Sequence, residues 1–188
     1  MMLFTPNPNR LHHVLAYTAW THADALSLAD LGTALLTADA LHLADYGRPV
    51  TGDIWDGEPP VPLGRITRRL LNREPCALAM LTPVPPGKPS LPRYLLEGDR
   101  VLTLDSGTRC TPGEDKVFRC ISETDRVALR AALGQAEGDE VDAARTRALR
   151  AWRRALGGVM DYAGLVPEDV LQAPGFQEHI DLAPMIKM

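Results

Sequence analysis

A mainly α protein of the α+β kind is what the sequence predicts: one domain over residues 1–188, with a small antiparallel β-hairpin or sheet on one flank. Three observations predict it. Apolar residues recur at helical spacing through residues 9–72 and again through 122–172. Between these blocks Pro83, Pro85, Pro86, Pro89 and Pro92 crowd residues 82–93, a density that no helix or central strand tolerates. Two apolar runs then flank the Gly-containing turn Glu97-Gly98-Asp99-Arg100, which reads as a hairpin over 94–104.

Each element has its own signal. Asn9 follows Pro6 and Pro8 and can cap a first helix, on which Leu11, Val14, Leu15 and Ala19 share a face. Ser27 with Asp30 three residues on resembles a capping box. Leu31, Leu35, Ala38 and Leu41 continue that second helix until Gly47, a natural left-handed terminator. Beyond Pro62, residues 63–72 hold Leu63, Ile66, Leu70 and Leu71 at a third helical spacing. After the hairpin, residues 105–115 read as loop, and Lys116 to Ile121 as a short third strand. Ser122 and Asp125 open another capped helix, which runs to about Ala136. Val141, Ala144, Ala148, Trp152, Ala155, Leu156 and Val159 mark a long amphipathic helix with Trp152 on its core side. Gly157-Gly158 lies inside its end or just past it. A short helix over 166–172 starts with Pro167 in its first turn, and the tail beyond Pro174 is irregular.

Composition bounds the partners. Of 188 residues, 45% are hydrophobic, enough for a real core, and the net charge of −4 gives no general attraction to nucleic acid. The three cysteines are odd in number and form no CxxC, so they read as reduced cytoplasmic thiols. The first residues carry no signal-peptide pattern, and no apolar run approaches the roughly 18 residues of a membrane span. The expected location is therefore the cytoplasm.

The richest stretch is residues 38–62. A helix ends at Tyr46 and Gly47, a rigid turn follows through Arg48, Pro49, Val50, Thr51, Gly52 and Asp53, and Pro60-Val61-Pro62 redirects the chain. Arg48 follows a helix C-terminus, where a guanidinium meets free carbonyls, and Asp39 or Asp53 is its expected carboxylate partner. Trp55 lies beside the turn as either a core lid or an exposed anchor. This stretch resembles the core motif of the Panacea (SocA-like) antitoxin domain: a leucine-rich helix, Ala-Asp, then Tyr-Gly-Arg-Pro-Ile-Thr-Gly-Asp, then Gly-Pro-Val-Pro. Ala38, Asp39, His42, Leu43 and Tyr46 to Asp53 carry the likeness, with Pro60, Val61 and Pro62. Downstream, Ile121 to Asp125 resembles the family's Leu-Ser-Glu-Ser-Asp helix start, and Ala151-Trp152 its Ala-Trp. Thr33 and Leu36 stand where the family has Lys and Tyr, Pro59 where it has Gly, and Arg147 where it has His. The resemblance implies a type II antitoxin that is not an enzyme. Such a protein neutralises a co-encoded toxin by covering it or by delivering it to a protease. The alternative is a phage or prophage accessory protein with a similar domain and no antitoxin role.

The residues outside that motif favour no chemistry. Asp53 with Asp56 or Glu58 could pair for acid–base work, but carboxylates on a polar turn are usually solvated. His12, His13, His22, His42 and His179 lack an HExxH spacing or a Cys/His cluster, and no GxSxG or phosphate loop occurs, so neither a metal nor an organic cofactor is expected. Arg145, Arg147, Arg150, Arg153 and Arg154 read first as a solvated helix face, next as a protein patch and last as a nucleic-acid stripe. The expected partner-binding residues are Tyr46, Gly47, Arg48, Pro49, Thr51, Gly52, Asp53 and Trp55.

Overall fold

The computed structural model describes residues 1–22, 25–57, 60–83, 91–103, 117–135 and 138–176. The chain is mainly α-helical with a small three-stranded antiparallel sheet, as its sequence predicts.

Helix α1 (Pro8–Thr21) starts earlier than expected. Asn7, not Asn9, is the cap: its side chain accepts from the Arg10 amide at 3.1 Å, with Pro8 at the first helical position. Asn9 instead accepts the Thr82 amide at 2.6 Å and pins the chain that returns after the third and fourth helices. Helix α2 (Leu28–Tyr46) is capped by Ser27, whose hydroxyl takes the Asp30 amide. It ends at Gly47 in the left-handed conformation (φ 66°), with the Gly47 amide on the Leu43 carbonyl.

Helical spacing alone gives α2 one apolar face, yet every residue from Ala34 to Leu43 is buried. The reason is its position. The α2 helix packs against β1, against both of the longer C-terminal helices and against the turns that follow each of them. A helix covered on all sides is apolar all round, and its few polar residues must find partners internally. Thr37 does so by donating to the Thr33 carbonyl one turn back, at 2.7 Å.

Helix α3 (Arg65–Leu71) follows, then the short α4 (Pro75–Leu78), which sequence spacing does not announce. The hairpin forms as expected from β2 (Tyr94–Glu97) and β3 (Arg100–Thr103), with Glu97 opposite Arg100. Residues 117–121, the described part of the expected Lys116 to Ile121 strand, do not form the third strand. It is β1 (Leu26–Ser27), which pairs antiparallel with β3 and gives the order β1-β3-β2. Val117 and Phe118 are buried, and the Ile121 amide turns back to the Phe118 carbonyl. Phe118 wedges edge-on against Tyr17, ring centres 4.9 Å apart, so its apolar signal belongs to the core rather than to a ladder.

Helix α5 (Glu123–Arg130) has the full reciprocal capping box of Ser122 and Asp125. It loosens into a π-type turn over Ala131–Gln135, broken at Gly134 (φ 80°). Helix α6 (Asp139–Arg154) places Asp139, Glu140 and Asp142 in its first turn and Arg153 and Arg154 in its last, matching the helix dipole. It stops before Gly157, and its buried side is Ala144, Ala148 and Trp152. A 3-10 turn (Tyr162–Leu165) and α7 (Glu168–Leu171), entered through Pro167, complete the described chain. One apolar cluster joins residues from Leu11 to Phe176. Residues 84–90 of the proline-rich stretch, residues 104–116, which hold the expected loop and Lys116, and the tail from 177 lie outside the described residues. Among the described residues, no helix is long and apolar enough to cross a membrane.

Candidate partner-binding site

The motif turn is built inward around two buried carboxylates. Asp39, on α2, is fully buried. One of its oxygens takes the Thr51 amide at 2.6 Å; the other meets the Thr51 hydroxyl at 2.5 Å, the Tyr162 hydroxyl at 3.0 Å and the Trp55 indole N–H at 3.2 Å. Burial raises the Asp39 pKa to about 6, against the pull of these donors. Asp53 accepts the amides of Ile54, Ile66 and Thr67 at 2.7, 2.9 and 2.8 Å. It thereby caps α3 from outside the helix, because Gly64 holds the N-cap position and has no side chain to do so. A Cβ on Gly64 would stand 2.2 Å from the Asp53 carboxylate, which explains the glycine. Burial also pushes Asp53 above the ordinary carboxylate range.

The expected pairing of Arg48 with Asp39 or Asp53 is therefore wrong. Both acids are spent on neutral donors in the interior. Arg48 turns instead to α5, where its guanidinium donates to Asp125 at 3.0 Å and to the Ser122 hydroxyl at 3.2 Å. The same Asp125 oxygen receives Arg10 of α1 at 2.7 Å. Arg10 also donates to the carbonyls of Val50 and Pro49, at 2.7 and 3.3 Å, and so clamps the turn from below. Burial works to raise Asp125, but Arg10, the Ser122 amide and Arg48 outweigh it and hold Asp125 below its usual range.

His42 completes this second cluster. Its Nδ1 lies 2.8 Å from the Arg48 carbonyl, which only accepts, so Nδ1 carries a proton. Its Nε2 faces the Thr124 hydroxyl at 3.0 Å and Asp125 at 3.3 Å. Burial above all, helped by the two guanidinium groups, holds its pKa below that of free imidazole, against the upward pull of the Arg48 carbonyl and Asp125. A neutral ring then accepts from Thr124. The hydroxyl–imidazole pair has a nucleophile's spacing, but the ring is buried. Two surface cavities, of about 400 and 570 Å3, lie against the N-terminal end of α2 instead, and none of Arg48, His42 or Thr124 lines either.

The expected site residues thus separate. Pro49, Thr51, Gly52 and Asp53 are buried, as is Gly47. Trp55 is fully buried, donates at 2.8 Å to Tyr162, and is a core residue rather than an exposed anchor. Only Tyr46, 52% exposed, and Arg48, with 30% of its side chain exposed, face outward. The Tyr46 ring stacks on His42 at 4.5 Å. Asp56 is paired bidentately with Arg65, so it forms no dyad with Asp53, and Glu58 lies outside the described residues. His12 meets the Tyr94 hydroxyl at 2.8 Å, while His13 is buried and drawn down to about 4 by burial. The arginines of α6 do not act together. Arg145 pairs with Asp142, Arg147 reaches the Leu165 carbonyl, and Arg150, Arg153 and Arg154 are exposed.

Three residues of the site carry no advance signal of their role. Arg10 is one basic residue in a helix start. Tyr162 joins Asp39 across 123 positions. Asp125 announces a helix cap but not its ion pairs. Among the described residues, no group of three His, Cys, Asp or Glu side chains is arranged to hold a metal ion. Comparison of the chain with protein-family models, with curated proteins and with solved structures finds no match.

Proposed function

We propose that this chain is a cytoplasmic type II antitoxin, a protein-binding module of the Panacea (SocA-like) kind that neutralises a co-encoded toxin by covering it or carrying it to a protease. The observation that supports this reading is the division of labour within the motif. Asp39, Thr51, Asp53 and Trp55 are engaged with one another or with the backbone. Among the expected partner-binding residues, the outward chemistry is then a phenol on Tyr46 and a guanidinium on Arg48. Tyr and Arg are the groups that dominate protein–protein interfaces, where burial of large rigid surface replaces bond-breaking chemistry. A stable complex of this kind covers roughly 1,200–2,000 Å2 in total.

The experiment is co-expression with the adjacent gene. Expression of the neighbour alone is expected to stop growth, this protein to restore it at similar expression, and the two to co-elute on gel filtration. A harmless neighbour and no complex would overturn the reading.

A further inference from the structure

We propose that the surface around Arg48 takes a carboxylate: an exposed aspartate or glutamate side chain of a partner protein, held by the outward N–H groups of the Arg48 guanidinium near the exposed Tyr46 ring. This rests on the partner-binding reading above and adds the chemistry of the contact.

The geometry begins with a carboxylate that Arg48 must share. Asp125 is the carboxylate paired with Arg48 among the described residues, and it serves Arg10 through the same oxygen. Its other oxygen is taken by the Ser122 amide and hydroxyl. Arg10, only 15% exposed in its side chain, has the shorter contact and two backbone carbonyls besides. Arg48 sits further out. Of the five donors of a guanidinium, Arg48 places one on Asp125 and one on Ser122. The rest remain for solvent or a ligand. Glu123, the next acid along the chain, is committed to Arg126 and Arg130 at 2.7 and 2.9 Å. The Tyr46 ring, two residues before Arg48 in the chain and held on His42, is also exposed. A forked guanidinium suits the planar pair of oxygens of a carboxylate. The chain's net charge of −4 disfavours a polyphosphate in the same place.

The test is an NMR titration of the full chain with a seven-residue alanine peptide carrying one central glutamate. The same peptide with glutamine and a thymidine dinucleotide run alongside. The glutamate peptide is expected to shift the Ser122 amide and the Tyr46 ring saturably, and added salt to weaken it. Arg48→Gln should lower its affinity about fivefold, the upper range for a half-exposed ion pair, and Arg48→Lys should recover part of that. Tyr46→Ala removes an exposed ring, leaves the Asp125 cluster in place and should also weaken binding. Equal shifts from the glutamine peptide, no shift from either peptide, or tighter binding of the dinucleotide would overturn the proposal. If the glutamate peptide binds but the neighbouring gene is harmless, only the antitoxin reading falls.

Discussion

Asp125 accepts from Arg10 of α1 and Arg48 of the motif turn at one oxygen, and closes the α5 capping box with the other. Three segments distant in sequence thus meet on one buried carboxylate. Removing it leaves the largely buried Arg10 charge without a carboxylate, held only by the Val50 and Pro49 carbonyls, so Asp125→Ala should cost about 3–5 kcal/mol. Arg10→Ala should cost nearly as much. Arg48→Ala should cost only about 1 kcal/mol, because its side chain is partly solvated. Urea midpoints of the three variants check this order, and an Arg48 effect equal to that of Asp125 would contradict it. Asp39 gives a pH signature. Its folded pKa of about 6 lies above the ordinary aspartate value of 3.8, so the folded state holds the proton more tightly. The stability it contributes is full below about pH 4 and is lost as pH rises through about 6, by roughly 2–3 kcal/mol. In Asp39→Asn this component is absent, so the wild-type advantage should shrink over that window; parallel curves at pH 4.5 and 7 would refute it. The sequence marks Asp39, Arg48 and Asp125 as residues of interest. Their pairing is not legible there, because a carboxylate's partner depends on which segments the fold brings together, and Arg48 has three acids within reach of plausible turns.

At the level of elements, local signals are the most legible: the Ser27 and Ser122 caps, the Gly47 stop and the Gly98 turn are each set by a few neighbouring residues. Elements made by long-range pairing are not. β1 is two residues long and exists because the hairpin lies beside it, with the Leu28 amide on the Asp99 carbonyl. The start of α3 depends on Asp53, eleven positions before Gly64 in a separate turn. Gly32 shows the same dependence in a form that can be tested. It lies inside α2, where helix propensity alone makes alanine about 1 kcal/mol better. A Cβ there would fall 1.8 Å from the Pro62 carbonyl oxygen, a contact that requires backbone to move. Gly32→Ala should therefore destabilise, by about 1–3 kcal/mol after the propensity gain, as overpacking does. A raised melting temperature would show that the Pro60–Pro62 crossing yields without cost.

Across the whole molecule, α2 is the shared wall for β1, β3, α5, α6 and the turns that follow those two helices, while α1 packs on α3, α5 and the hairpin. The predicted class survives because amphipathic spacing reports that a helix has a buried face. It does not report how many faces are buried, and so α2 reads as an ordinary surface helix until its neighbours are known. Its central position has a kinetic consequence. An amide in the stretch Leu35–Leu43 is covered by α5, α6 and the turns beyond them, so it exchanges with solvent only when several elements separate together. The hairpin is different. β2 forms an outer edge of the sheet, and its residues alternate between half-buried and exposed, so it can open without disturbing the Asp39 and Asp125 clusters. Hydrogen exchange followed by mass spectrometry should find the Leu35–Leu43 amides among the slowest, at a free energy near that of global unfolding, and Tyr94–Thr103 exchanging faster. The Asp125→Ala variant should speed the α2 amides by the same factor as it lowers global stability, since the carboxylate joins the segments that cover them. If the hairpin were as protected as α2, or if Asp125→Ala accelerated only α5, the molecule would be an assembly of independently opening parts and α2 would not be its common wall.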